Sequence, residues 1–310
     1  MRLNVHSHEL TPRNGQREGF IVVAVLWLLA ALATLAAIYS LYVRQSTATL
    51  ASRDERLIGE ALVQAGAEMA VQAVTATPGS RPSRGRVAFR LGKADVTATF
   101  SAENGRIDLN AAPRDVLANL FVGLGASLSD ATYFAERIVA WRTPPVPGAE
   151  DEETSLYRIA GKRYGPRRGL FQHRNELALV LGMAPDLIRR ALPYLTVYSG
   201  RPEINVLAAP PAVLAALPGL TPARLQDLIV MREAAPQDVL RARLGTTARY
   251  VSVQPGNTMR LLVDVRRGGL RYARSEIVAL VLDQDVKPYR ILSRRDDIDE
   301  AAEEPQAVVR

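Results

Sequence analysis

The sequence predicts an α+β protein with an inserted all-α, helix-hairpin-helix-like domain, tethered to a membrane by one N-terminal helix. Three observations carry this. Residues 20–43 contain no charged side chain. Strand-like segments stand on both sides of a long helical block. A motif with about half its positions identical occurs twice, at Ile107–Leu120 and at Ile204–Leu217.

Taken in order, residues 1–19 (MRLNVHSHELTPRNGQREG) form a polar leader with Arg2, Arg13 and Arg17. Positive charge before an apolar span favours a cytoplasmic N-terminus. Residues 20–43 (FIVVAVLWLLAALATLAAIYSLYV) are the span. As a helix they reach about 36 Å, enough for a hydrocarbon core of about 30 Å. A cleaved secretory signal has an apolar stretch of only roughly 7–15 residues, and here helical sequence continues straight out of the span. Trp27, Tyr39 and Tyr42 are aromatics of the kind that anchor at interfaces. Ala30, Ala31, Ala33, Ala36 and Ala37 either allow close helix packing in the membrane or face lipid.

Residues 44–109 begin as a continuation of that helix. Leu50, Leu57, Ile58, Ala61, Leu62, Ala65 and Met69 recur at helical spacing, with Arg53, Asp54, Glu60 and Gln64 between them. Thr77-Pro78-Gly79 stops it. Val87–Leu91, a Gly92-Lys93 turn and Val96–Phe100 read as a β-hairpin. Asn104-Gly105 then turns the chain into Ile107–Leu109. Residues 110–199 read as the helical insertion, interrupted by an exposed proline- and glycine-rich loop over residues 143–169. Residues 200–294 carry the second copy of the motif and return to strands at Tyr250–Val253, Met259–Val265, Arg271–Leu282 and Tyr289–Leu292. Residues 295–310 are an acidic tail that frays.

The repeated motif, IDLNAAPRDVLANL and INVLAAPPAVLAAL, enters from a short strand and places Pro113 or Pro210 where proline suits a first helical turn. Each copy ends near glycines, Gly123 and Gly125 in the first and Gly219 in the second. A third related stretch, Glu176–Met183, turns at Gly182 into a helix from Pro185 to Leu192. Helix, small-residue turn, helix is the helix-hairpin-helix pattern. Such turns present backbone N–H groups to DNA phosphates beside neutralising cations, here Arg137, Arg189, Arg190, Arg224 or Arg232. The same motif is also a compact way to join two helices. Flanking lysines are few, aromatic residues make up 6% of the chain and the domain is membrane-tethered. Structural use is therefore the first reading and nucleic acid is not an expected partner; a membrane-anchored DNA-uptake receptor using these hairpins is the alternative.

Composition narrows the chemistry. No cysteine is present, which removes disulfides, thiol nucleophiles and zinc–thiolate sites. His6 and His8 lie in the leader, leaving His173 as the one histidine of the main body, and a lone histidine reads as structural. The chain does not read as an enzyme. A net charge of +7 comes mostly from arginines spread along the sequence, a solvated basic surface.

A polar leader ending at Gly19, then Phe20 opening an uninterrupted apolar helix, resembles a type IV prepilin or pseudopilin. With IDLNAAP, LFQHRNELALVLGMAPDLIRRALPYLTVYSG and INVLAAPPAVLAALPGL following in that order, the chain from Gly19 to about Arg294 resembles the minor pseudopilin K family of type II secretion. The family usually has an asparagine-threonine pair in these repeats; Asn110-Ala111 and Leu207-Ala208 depart from it. The resemblance implies a pilin-like fold, a long N-terminal helix laid on an antiparallel sheet with a helical domain inserted between strands. It implies cleavage after Gly19 by a prepilin peptidase and N-methylation of Phe20. It implies a tip complex with other minor pseudopilins, contacts with the major pseudopilin and an inner-membrane assembly platform, and a periplasmic C-terminal domain. The fifth mature residue, usually glutamate in the wider family, is Ala24, an absence shared by one branch. No cofactor is required. Some members bind calcium, for which Asp151, Glu152 and Glu153 offer oxygen ligands. They lack a recognisable loop spacing, and a solvated charge run is the plainer reading.

Overall fold

The computed structural model describes residues 17–76, 81–148, 151–232, 237–282 and 288–296. The chain divides into two compact units, residues 1–58 and 59–310. The leader before Arg17, the stop at Thr77-Pro78-Gly79 and the tail beyond Asp296 lie outside the described residues.

Helix α1 (Arg17–Thr75) runs through both units. Within the first, Ile21–Ser40 has a mean hydropathy of 2.8 and no buried residue. Leaving such a surface uncovered in water costs about 25 cal/mol per Å² of apolar area, so the stretch is built for lipid. Its polar Thr34 donates its hydroxyl to the Ala30 carbonyl at 2.5 Å, so the side chain carries no unmet hydrogen bond into the membrane.

In the second unit, the remainder of α1 covers a five-stranded antiparallel sheet. Its strands are β1 (Arg84–Leu91), β2 (Ala94–Ala102), β7 (Thr258–Arg267), β8 (Leu270–Val281) and β9 (Tyr289–Asp296), in that spatial order. Leu62, Val63, Ala67, Ala70, Val71 and Val74 of α1 pack on Val96, Ala98, Phe100, Leu261, Val263 and Ile277. The strand residues alternate in sequence, as a sheet buried on one face requires. The β1–β2 hairpin turns at Gly92 and the β7–β8 hairpin at Gly268-Gly269.

Gly66 lets α1 approach this sheet closely. A Cβ there would lie 2.5 Å from Cγ1 of Val263 and 3.0 Å from Cγ1 of Val96, both short-branched side chains that cannot swing away. Gly66→Val is therefore expected to cost about 1–3 kcal/mol by overpacking. Gly59→Ala, whose Cβ would find ordinary contacts at 3.5 and 3.6 Å, should instead stabilise α1 by up to about 1 kcal/mol. Urea unfolding of the two variants should move the midpoint in opposite directions; a shift of the same sign in both would refute the close-approach account.

Everything between β2 and β7 is inserted. It holds β3 (Ile107–Asp108), α2 (Arg114–Gly123), α3 (Leu128–Arg142), α4 (Glu152–Ile159), α5 (Pro185–Ala191), β4 (Leu195–Thr196), β5 (Ile204–Asn205), α6 (Pro211–Ala215), α7 (Pro222–Met231), α8 (Gln237–Arg243) and β6 (Val251–Ser252). The insertion has a core of its own, drawn from residues between Ile107 and Val253. Four expectations change here. The insertion runs past residue 199, because Val213, Leu214, Leu217 and Leu228 of the second repeat are buried in the same core. It is helix-rich rather than all-α, since β3 pairs in parallel with β4 and β5 with β6. The segment read as an open loop at 143–169 contains α4, whose Tyr157 is fully buried. The last strand also reaches Asp296, so the acidic run starts inside β9.

Candidate functional site

The sequence repeat is a repeat of structure. In the first copy, Ile107 lies opposite Leu195 and the Leu109 N–H donates to the Thr196 carbonyl at 2.9 Å. In the second, Ile204 lies opposite Val251 and the Val206 N–H donates to the Ser252 carbonyl at 3.1 Å. Asp108 Oδ1 accepts from the Asn110 N–H at 2.7 Å, and Asn205 Oδ1 from the Leu207 N–H at 3.0 Å, the same local turn that Asp and Asn favour. An arginine at the end of the following helix closes each copy. Arg142 donates to the carbonyls of Leu109 at 2.6 Å and Ala112 at 2.7 Å. Arg232 donates to those of Val206 at 3.4 Å and Ala209 at 2.6 Å. These carbonyls occupy matching places in the two motifs. Each copy thus opens with a strand and two helices joined by a turn and, after further helical segments, closes on a parallel strand.

The copies diverge at one carboxylate. Asp108 Oδ2 accepts from the Ser199 N–H and hydroxyl, both at 2.9 Å, and from the Gly200 N–H at 2.8 Å, tying the exit of the first copy to its entry. Asn205 instead donates its amide to the Ser83 hydroxyl at 2.9 Å, tying the second copy to the chain entering β1.

The turns at Gly182 and Gly219 are closed by protein side chains, whereas a Cβ on Gly123 would meet nothing within 4 Å. A Cβ on Gly182, at φ +85°, would meet the Tyr133 ring at 2.9 Å. One on Gly219, at φ +79°, would touch the hydroxyls of Thr247 and Thr246 at 3.4 and 3.5 Å. Gly125 also has positive φ, whereas Gly123 is simply the last residue of α2. In the first turn the N–H groups of Leu124, Gly125 and Ala126 donate to the carbonyls of Leu120, Val122 and Phe121. These donors serve helix packing and are not aimed outward at a phosphate.

The acidic cluster is divided by its location at the start of α4. Asp151 caps the helix, its Oδ1 accepting from the Thr154 N–H at 3.0 Å and its Oδ2 from the Thr154 hydroxyl at 2.6 Å, and it is ion-paired with Arg168. Glu153 is buried and pairs through Oε2 with Arg137 at 2.6 Å. Burial raises the Glu153 carboxyl pKa, with Arg137 opposing. Glu152 is exposed. Among the described residues no three His, Asp or Glu side chains converge as a ligand set. Two of the three carboxylates are held by arginines, so this trio does not fit calcium. His173 caps a 3-10 helix over Arg174–Leu179, its Nδ1 accepting from the Asn175 N–H at 3.1 Å.

The strongest electrostatic feature joins the insertion to the sheet. Glu103, fully buried just after β2, receives a two-pronged pair from Arg260 of β7, with Nε donating at 2.9 Å. Thr196 of β4 donates its hydroxyl to the same carboxylate. Arg260 also meets Glu276 of β8 at 2.9 Å, and Arg174 of the insertion meets Glu276 at 3.0 Å. Arg106 donates to the Pro193 carbonyl at 3.0 Å and lies 3.8 Å from Glu103. Burial pushes Glu103 and Glu276 up, but the surrounding guanidinium groups, Arg260 first among them, together outweigh it and both end below the usual carboxylate range. Burial and the neighbouring Arg260 bring Arg106 down to about 10.

Gly19 and Phe20 sit in the first turn of α1 and Ala24 a turn further on, so the bond read as the cleavage site lies within the helix.

The apolar helix and the antiparallel sheet define a membrane-anchored, single-pass protein of mixed α and β structure. Residues 95–200 match the family described as type II secretion system (T2SS), protein K. A chain in the crystal structure of the GspK-GspI-GspJ complex from the enterotoxigenic Escherichia coli type 2 secretion system shares the fold, with a TM-score of 0.56 and 13% identity over 82% of this chain and 100% of that one. No curated protein matches the sequence. The family match and the shared fold bear out the resemblance to type II secretion minor pseudopilin K.

Proposed function

We propose that this protein is a minor pseudopilin that caps the pseudopilus tip and nucleates its assembly with other minor pseudopilins, driving export of folded periplasmic proteins. The observation that carries the reading is the protein K match at residues 95–200, which spans the end of the sheet's first hairpin and the first inserted repeat. The fold neighbour comes from a complex of GspK with GspI and GspJ, which supports a partnership with other minor pseudopilins. The role is structural, with no catalysis and no required cofactor. The protein sits in the inner membrane with its N-terminus cytoplasmic and its C-terminal domain periplasmic. Its other partners are the prepilin peptidase, the major pseudopilin and the inner-membrane assembly platform.

Ala24 supports the tip position. In filament subunits an acid at this place pairs with the N-terminal amine of the subunit above, and an unpaired charge in a membrane helix costs about 2.5–3.5 kcal/mol on insertion scales. A subunit with nothing above it has no use for the acid, while the freed amine of Phe20 still serves the subunit below. The large insertion between β2 and β7 argues the same way, since it is poorly suited to close stacking in every subunit of a filament.

Processing supplies the test. Mass spectrometry of the N-terminal peptide from membranes should give a methylated Phe20 terminus when prepilin peptidase is present and an intact leader when it is absent. A Met1 terminus in both samples would make the helix a plain signal anchor and sink the pseudopilin reading.

A further inference from the structure

We propose that the free edge of β1 is a strand-addition site for an extended, acid-bearing segment of another pseudopilin; this rests on the assembly role given above. The sheet order leaves β1 and β9 as the two edges. They are not alike. β9 pairs with β8 through a register shift at Val278/Ala279, a device that spoils an edge for further pairing. β1 pairs with β2 in unbroken register from Arg84 to Leu91, with no proline, and among the described residues no strand lies on its other side.

The two faces of β1 state what a sixth strand must carry. On the face toward α1, Val87 and Phe89 are only half-buried against the sheet core, and Leu91 is 51% exposed. These apolar side chains lack the neighbour that residues of an inner strand have. On the opposite face, Arg84, Arg86 and Arg90 are exposed with Ala88 between them. Arg90 lies 3.8 Å from Asp95, a pair so exposed that it leaves the guanidinium available. An incoming strand that alternates apolar and acidic residues covers the first row and pairs with the second. A second copy of this chain does not fit, because antiparallel pairing of two β1 strands places arginine rows against each other, and like charges in facing positions are unfavourable.

The experiment uses the full chain in membranes that also contain the other pseudopilins, with photoreactive benzoylphenylalanine in place of Ala88 and, as a control on the other edge, in place of Leu292. Irradiation should crosslink position 88 to another pseudopilin, through a peptide that mass spectrometry maps to an extended segment containing Asp or Glu. Position 292 should give no such product. Arg86→Glu with Arg90→Glu should lower co-purification of that pseudopilin about tenfold or more while thermal unfolding stays within a few degrees of wild type. Co-purification without a crosslink from position 88, or a crosslink only to a second copy, overturns the edge assignment and leaves the pseudopilin reading intact. No co-purification with any pseudopilin overturns both.

Discussion

Glu103→Ala is expected to lower the stability of the 59–310 unit more than any other single change in its polar groups. The substitution leaves the buried Arg260 guanidinium without its main partner, and removing one member of a buried ion pair costs about 3–5 kcal/mol. For a domain of this size that corresponds to a fall of about 6–20 °C in the thermal midpoint. Replacing both members, Glu103→Leu with Arg260→Met, should cost less than Glu103→Ala alone, because no buried cation remains and Glu276 keeps Arg174 at 3.0 Å. Acid gives an independent check. Glu103 and Glu276 both have folded pKa values below their ordinary range. Their contribution is therefore complete above the unfolded carboxylate pKa of about 4.3 and is lost as pH falls through the lower folded values. The gap between wild type and Glu103→Ala, read by urea unfolding, should narrow from pH 6 toward pH 3. A gap that stays constant with pH would mean the loss is one of packing and not of charge.

The same network marks how much was legible in the sequence. Local signals sufficed for α1, for the β1–β2 hairpin and for the strands at the C-terminal end, because periodicity and turn residues act within a few positions of each other. The repeat was legible too, since Asp108 and Asn205, short polar residues at matching places, build the same local turn. The anchor was not. Glu103, Arg174, Arg260 and Glu276 come from separate segments, and each sits in an ordinary context until the sheet brings β7 and β8 side by side. The one available hint was a charge in an otherwise apolar strand, Arg260 within Met259–Val265 and Glu276 before Ile277–Leu282. The extent of the insertion was missed for a related reason. The second repeat lies close in sequence to the returning strands, but its apolar residues are spent on the first repeat's core. Helix α4 was hidden by composition: prolines and glycines on both sides made the whole of 143–169 look open, although Tyr157 is fully buried and Glu153 pairs with Arg137.

That aromatic gives the second large effect. Tyr157 is fully buried, with its ring 6.2 Å from Trp141 and 5.8 Å from Tyr164, and its hydroxyl accepts from the Leu181 N–H at 3.0 Å. Tyr157→Ala removes most of what holds α4 against the insertion core, at an expected cost of about 3–5 kcal/mol for an aromatic-to-alanine cavity. It also strands the Leu181 donor, which Tyr157→Phe does alone for about 1–3 kcal/mol. Because Tyr157 belongs to the insertion's core and not to the core beneath α1, the damage should be confined. Hydrogen exchange in Tyr157→Ala should speed up across Glu152–Ile159 and around Leu181 while protection of β2, β7 and β8 is retained. Equal loss of protection in the sheet strands would show that the two cores unfold as one, and that the insertion is not a stability unit of its own. Burial has also raised the Tyr157 phenol to about 12. A folded pKa above the unfolded value of about 10 means that the unfolded state gives up its proton first, so alkaline conditions should erode stability from about pH 10 upward. Tyr157→Phe should lack that part of the alkaline loss, and a wild-type and Phe profile that run parallel from pH 9 to pH 11 would place the phenol in contact with solvent.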